Sequence, residues 1–291
     1  MAPKLSAIEG NTQWLDGGAM FGNVPRAVWE SWIPSDERGR VHLSCRGMLI
    51  EYQNKRILCE TGIGVFFPPK LAERYGVTES EHKLLASLAT LGLTEKDIDA
   101  VILSHLHFDH AGGLLPSYAE ITAGNDRLLF PNARYVVSRT AFERAANPHF
   151  RDRASFIPGL TDKLQTSGRL LLIDGTSTSE LMPDRLSFRF SNGHTPGHMH
   201  TIFRGDQHTV IFCGDLVPGV PWLHLPVTMG YDRYAELVID EKKDLYETAV
   251  RDHWMLFFTH DMRNHAATIK VDSQGKYSVD QCWPQIHRLS I

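Results

Sequence analysis

Short apolar runs, punctuated by Gly, Pro, Asp and Asn, alternate along this chain with a few stretches at helical spacing. "VHLSCRGMLIEYQ" (residues 41–53) and "KRILCET" (55–61) predict the two strands of a hairpin turning at Asn54-Lys55. "ESEHKLLASLATLGL" (79–93) repeats apolar residues with helical periodicity, and "TEKD" directly after it reads as a capping box. "DAVILS" (99–104) and "ARYVVS" (133–138) read as buried strands, and "RTAFERAA" (139–146) as a helix stopped near Pro148. Residues 147–168 read as irregular or loosely helical, a surface excursion over a pocket. Strand character returns in "RLLLID", "LSFRFS", "HTIFRG" and "TVIFCGD". A helix is expected over about 232–252, then the buried strand "WMLFFTHD" and a hairpin turning at Gln274-Gly275. This is a layered α/β pattern with its polar clusters at strand ends, where a rigid scaffold can hold reacting groups.

Composition narrows the class. With 42% hydrophobic and 22% charged residues in 291, the chain has ample material for a core. No repeat, low-complexity tract or Gly/Ser linker marks a boundary, so a single domain over 1–291 is expected. A net charge of −4 with mixed signs gives no reason to expect a nucleic-acid or anionic-membrane partner. No apolar run approaches a membrane span, and the first residues lack the basic and apolar regions of a secretory signal. Cys45, Cys59, Cys213 and Cys282 are scattered without CxxC spacing, so a reducing, cytoplasmic location is expected. A homodimer suits a chain of this size, though no sequence feature demands one.

The chemistry concentrates in "SHLHFDHAGG", residues 104–113. His105 and His107 are two apart, so on extended backbone both rings point to one side. Asp109 and His110 follow as the chain turns, and Gly112-Gly113 permits a tight path. Further candidates lie at later strand ends: His194 and His198 in "GHTPGH", Asp215 in "CGD" and His260 in "FTHD". Imidazole and carboxylate donors suit zinc, with iron, manganese or cobalt as alternatives. Two such ions lower the pKa of a shared water to give a bridging hydroxide, and polarise a carbonyl or phosphoryl oxygen. Asp109 can then pass a proton to the leaving oxygen. His200 and His208 read as ordinary strand residues, Cys213 as a small buried one, and Arg233 and Lys242 as a solvated helix face.

HxHxDH, GHTPGH, a strand-terminal Asp and a last strand-terminal His, in that order over about 40–262, resemble the metallo-β-lactamase superfamily. The resemblance implies an αββα four-layer sandwich, two mixed sheets with helices outside and the site at one edge. It implies one divalent metal on His105, His107 and His198 and a second on Asp109, His110 and His260, with Asp215 bridging. It leaves His194 to loop structure. Where the family carries Asp-Thr-Gly after its early hairpin, this chain has Glu60-Thr61-Gly62, which leaves the role of Glu60 open.

Fold alone does not set substrate. Flavin-linked reductases of this fold carry a glutamate where His107 stands. The missing signal argues against a secreted β-lactamase, and so does Asp215. The short stretch after His260 argues against a glyoxalase II-like thioesterase, and the absence of a basic arm against a tRNA nuclease. In "SHLHFDHAGG", the "FFTHD" ending, "LDGGAMFGNVPRAVWESW" (15–32) and "DLVPGVPWLHLPVTMGYD" (215–232), the chain resembles the N-acyl homoserine lactonases of the quorum-quenching branch, with the methyl parathion hydrolases as relatives. The expected activity is therefore hydrolysis of a lactone or related ester. The alternatives are a phosphotriesterase or arylesterase and a non-catalytic metal-binding sensor. Well-studied lactonases place a tyrosine three residues after the bridging Asp; here that position is Pro218, and Tyr231 is the candidate oxyanion donor in its place. Residues 1–40 are expected to line the pocket, with Met20, Phe21, Trp222 and Leu223 as an apolar wall for the acyl chain.

Overall fold

Strands that bury both faces read as continuous apolar runs, and that is how most strands of this chain are used. The computed structural model describes residues 2–175, 181–182 and 184–291. In chain order its first half supplies β1 (Lys4–Ile8), β2 (Gln13–Asp16), β3 (Arg40–Leu43), β4 (Gly47–Tyr52), β5 (Lys55–Cys59), β6 (Ala100–Ile102), β7 (Arg134–Ser138) and β8 (Leu170–Ile173). The second half supplies β9 (Leu186–Ser191), β10 (His198–Arg204), β11 (Thr209–Phe212), β12 (Met255–Phe257), β13 (Ala266–Val271), β14 (Tyr277–Trp283) and β15 (Leu289–Ser290). One sheet runs β15-β1-β4-β5-β6-β7-β8 and the other β14-β13-β12-β11-β10-β9, with β2 and β3 forming a separate ribbon. Both large sheets are mixed: β5 to β8 and the β11–β12 pair are parallel, the remaining pairs antiparallel.

Alternation along the strands sorts side chains into layers. Met48, Ile50, Ile57, Ile102 and Val136 face inward and meet Phe188, Met199, Phe203, Phe212 and Phe257 of the second sheet. Their neighbours Leu49, Leu58, Val101 and Val137 face outward, under helices Lys83–Thr90, Arg139–Ala146 and Leu160–Thr166. On the far side Ile202, Ile211, Leu256 and Phe258 pack under helix Ala235–Arg251 through Val238, Leu245 and Tyr246. The result is the expected αββα sandwich, two mixed sheets between helices. Among the described residues no helix is long and apolar enough to cross a membrane.

Most predicted elements form where expected, including helix Arg139–Ala146 and the capping box at Thr94 and Asp97. Others need correction. The early hairpin turns at Gln53-Asn54, both with positive φ (49° and 61°), one residue before the expected place. Its first strand is also broken, because Ser44–Arg46 peels away to the end of β12. The Arg46 N–H donates to Thr259 O at 3.0 Å, and its buried guanidinium donates to Phe258 O and Asp261 O. Strands β1, β2 and β15 were not predicted at all. Nor is the cationic face of the long helix solvated. Arg233 is largely buried beside Asp152, and Lys242 is 1% exposed. The Lys242 ammonium donates to the carbonyls of Trp222, His224 and Val227 at 2.8, 2.8 and 2.9 Å, tying the 222–227 loop to the helix.

That contact yields a stability prediction. Lys242→Met keeps the stem but leaves three carbonyls without their donor, so unfolding free energy should fall by about 2–4 kcal/mol. Urea denaturation of the two proteins measures it; an unchanged midpoint would mean that the loop is held by its apolar contacts alone.

Candidate metal centre and its pocket

Each polar group of the site follows the end of a strand. Ser104–His110 follow β6, His194 follows β9, Asp215 follows β11 and His260 follows β12. The β6 loop turns tightly enough to set the ring of His105 4.3 Å from that of His107 and 4.1 Å from that of His110, centroid to centroid. It docks on the backbone after β5: a Cβ on Gly113 would stand 2.0 Å from Thr61 O, so only glycine fits.

Three groups of donor atoms converge: His105, His107, His194 and Asp215; Asp109, His110 and His260; and Glu60 with His105 and His110, in which Glu60 stands behind the rings. The first two face the pocket. Asp215 stands between them. Its Oδ2 lies 3.2 Å from His194 Nε2 and 3.3 Å from His110 Nε2, and its Oδ1 lies 3.1 Å from His260 Nε2.

The histidine of "GHTPGH" that joins the first group is His194, where His198 was expected. His194 sits in the loop between β9 and β10, free to reach over the strand ends. His198 is the first residue of β10, and its ring is already engaged: Nε2 accepts from the Asp215 N–H at 3.4 Å, while Nδ1 lies 3.2 Å from both Ser191 Oγ and His200 Nε2. His198 therefore braces the Asp215 backbone from beneath. Gly214, with φ 48°, makes room for it; a Cβ there would meet His198 Nε2 at 2.5 Å. His200 is a strand residue, as expected, and contributes to this buried brace.

Groups behind the imidazoles fix how they face. The His194 Nδ1–H donates to Asp232 Oδ1 at 2.8 Å, the His260 Nδ1–H to Ser44 O at 2.6 Å and the His110 Nδ1–H to Glu60 Oε2. Each bond fixes the tautomer and turns an Nε2 lone pair toward the centre. Glu60 also accepts from the Ser104 N–H at 2.7 Å, so the longer carboxylate braces both ends of the histidine loop. It does so from a left-handed backbone conformation, φ 69°.

Electrostatics agree with a cation site. Burial, then neighbouring imidazoles, holds His105 and His107 well below the usual histidine pKa. Burial opposes charge on His110 too, but Asp215, Glu60 and Asp109 outweigh it and raise its pKa well above that value. Burial alone would raise Asp215; His110, His194 and His260 reverse this and keep it ionised. The Nε2 atoms of His105 and His107 are buried without a hydrogen-bond partner, and that of His110 and the Oδ1 of Asp215 make only ion-pair contacts, without hydrogen-bond geometry. Buried donors and acceptors are rarely left so, and a set of orphaned imidazole and carboxylate atoms facing one another fits divalent ions.

A cavity of about 170 Å³ opens onto both groups, bounded by Leu15, Met20, Phe108, Ala154 and Met229, with Arg74, Tyr75, Ser155 and Tyr231 also on its walls. Ala154 and Ser155 belong to the 147–168 excursion, which does border this pocket. Burial, with help from Asp109, Asp16 and Tyr75, pushes the Tyr231 phenol up to about 12, so its O–H stays available to donate. Of the apolar wall expected from sequence, only Met20 lines the cavity. Phe21 stacks on Trp222 at 4.8 Å one layer behind, and Leu223 packs under the long helix. Leu15 lines the cavity from the 1–40 segment expected to do so; sequence reasoning missed Tyr75, whose segment carries no motif, and Asp232, for which its place beside Tyr231 was the one available signal.

A sequence profile of the metallo-β-lactamase superfamily matches residues 43–260, well over half of the chain. The chain belongs to that superfamily. It is a hydrolase of the superfamily, homologous to lactonases. The N-acyl homoserine lactonase AiiA of Bacillus thuringiensis subsp. kurstaki is 26% identical over 234 residues, covering 74% of this chain and 80% of its own. The N-acyl homoserine lactonase AttM of Azorhizobium caulinodans is 29% identical over 129 residues, so this chain spans only 44% of AttM. Among solved structures, a probable metal-dependent hydrolase from Staphylococcus aureus superposes with a TM-score of 0.86 at 27% identity, covering 100% of this chain and 99% of its own. AidC, a dizinc quorum-quenching lactonase in complex with a product, reaches 0.76 at 20% identity over 96% of this chain and 94% of its own. The last likeness is one of fold.

Zinc added to metal-stripped protein should raise its melting temperature, through about 4 kcal/mol of stabilisation per site at a thousandfold excess over Kd. Thermal melts against zinc concentration measure this, and a flat series would mean that the orphaned imidazoles do not take an ion.

Proposed function

We propose that this chain is a dinuclear metallohydrolase that opens a lactone ring, with N-acyl homoserine lactones, the signals of quorum sensing, as its substrate class. The observation that carries the reading is the shared Asp215 carboxylate, with one oxygen toward His194 and His110 and the other toward His260. In this assignment His105, His107 and His194 would hold one ion and Asp109, His110 and His260 the second, with Asp215 available to both. Zinc suits these donors first, and manganese, iron or cobalt next. When bound, two such ions supply an acidified water and Lewis acidity at the substrate oxygen.

The chain's own groups do the rest. The Tyr231 O–H, held protonated, donates to the carbonyl oxygen as negative charge gathers there. Water adds to the carbonyl carbon and gives up a proton, which Asp109 accepts. The ring C–O bond then breaks, and Asp109 returns that proton to the departing alkoxide, leaving a hydroxy acid. Leu15, Met20, Phe108 and Met229 give the acyl chain an apolar surface and exclude water. Support for a lactone over other esters comes from the lactonases among the homologues.

A pH-indicator assay on a panel of lactones and a phosphotriester tests the reading, since hydrolysis of either releases a proton. Fast lactone opening is expected, with kcat falling about 10²–10⁴-fold in Asp109→Asn. Phosphotriester turnover with every lactone intact would select the phosphotriesterase instead. Metal uptake without turnover of either would leave a binding protein. His194→Ala should retain about one metal per chain rather than about two, whereas His198→Ala should still take up both at saturating metal. The reverse pattern would restore the assignment to His198.

A further inference from the structure

We infer that Gln13 positions the Asp109 carboxylate, so that the N-terminal ribbon is part of the catalytic machinery. The inference rests on the proposed role of Asp109 in that reading. Gln13 is wholly buried, 0% exposed, and its Nε2 donates to Asp109 Oδ2 at 2.8 Å across 96 positions of sequence. Asp109 has no comparable hold from the histidines: Oδ1 is 3.7 Å from His110 Nε2 and Oδ2 is 3.6 Å from His260 Nε2. The Gln13 amide is thus the short contact that fixes which way this carboxylate faces.

The residue type matters. An amide nitrogen can donate but cannot accept, so it holds Oδ2 through one lone pair, leaving that oxygen's other lone pair for the ion Asp109 would help hold and Oδ1 to take and return a proton. Being neutral, it does this without cancelling the negative charge needed beside a cation. A lysine or arginine would pair with Asp109 outright, and a glutamate would repel it. Nor is the amide there for a second partner, since Gln13 Oε1 is buried with no hydrogen bond among the described residues. A buried side chain serving packing alone would be apolar at this place, opposite Leu43 on β3. Leu15, two residues on and on the same face of β2, bounds the cavity. One face of this strand therefore aims Asp109 and shapes the substrate space.

The test compares Gln13→Met, close in shape, with Gln13→Leu, shorter and also apolar, both unable to donate. Each is read by kcat and KM on the lactone that the wild type opens and by the rate of zinc loss to a chelator. Melting temperature confirms folding. Both variants should lose about 10–100-fold in kcat with KM within about twofold, and should release zinc about tenfold faster or more. Wild-type kcat and zinc retention in a folded Gln13→Met would overturn the inference and make Gln13 a packing residue. A loss confined to KM would overturn it as well, by moving Gln13 to substrate binding. Zinc retention is measured without substrate. If the wild type opens no lactone, the functional reading fails while the Gln13–Asp109 contact is still tested.

Discussion

The Asp215 carboxylate, held between His110, His194 and His260, is the contact on which the rest of the site depends. An ionised carboxylate this deeply buried is tolerated only when opposite charge or strong donors surround it. Here those partners are imidazoles, and an imidazole serves only if its own orientation is set. That task falls to groups on the opposite side of each ring: Glu60 behind His110, Asp232 behind His194, Ser44 O behind His260. These come from the segment after β5, the loop before the long helix and the segment after β3. One carboxylate therefore constrains three otherwise unrelated parts of the chain. The break between β3 and β4 follows from the same demand. Ser44 and Arg46 must leave the sheet to bind Thr259 and Asp261 on either side of His260.

The fold accepts local cost to meet this constraint. Glu60 takes a left-handed backbone conformation that a residue with a Cβ disfavours by about 1 kcal/mol or more. Gly113 and Gly214 stand where any side chain would collide with Thr61 O or the His198 ring. Several buried imidazole nitrogens lack a protein partner. Such departures cluster at the strand ends around Asp215, while the inter-sheet core of Met48, Ile50, Phe203 and Phe212 is ordinary apolar packing. The division is physically sensible: a well-packed sandwich supplies the stability that lets a small region remain unsatisfied.

Legibility in the sequence followed locality. The buried strands and the Arg139–Ala146 helix were readable because apolar runs and capping are local signals. HxHxDH was readable because its donors lie within one loop. The choice between His194 and His198 was not, since it depends on β10 beginning at His198 and leaving only His194 in the connecting loop. Lys242 was misjudged because helix periodicity says which positions share a face but not what covers them. That face meets a loop whose carbonyls point inward at the ammonium. Strands β1 and β2, KLSAI and QWLD, carry no continuous apolar run to announce them. Tyr75, Gln13 and Asp232 belong to the site only through contacts far apart in sequence.

The superfamily match covers residues 43–260. Within 43–260 lie the histidines, the Asp109 and Asp215 carboxylates and the groups that orient the rings. These determine which ions and what class of hydrolysis the site can support. Leu15 and Met20, which bound the cavity, and Gln13, which grips Asp109, all lie before residue 43. The ribbon of β2 and β3 ties that earlier segment to the family region through Gln13–Leu43 and Leu15–Val41 pairing. Its far end is anchored where Phe21 stacks between Trp29 and Trp222 and the Trp222 indole donates to Met20 O at 2.7 Å. Trp222 O is in turn one of the carbonyls capping Lys242. Pocket shape is thus coupled, through one aromatic stack and one buried ammonium, to the long helix on the opposite layer.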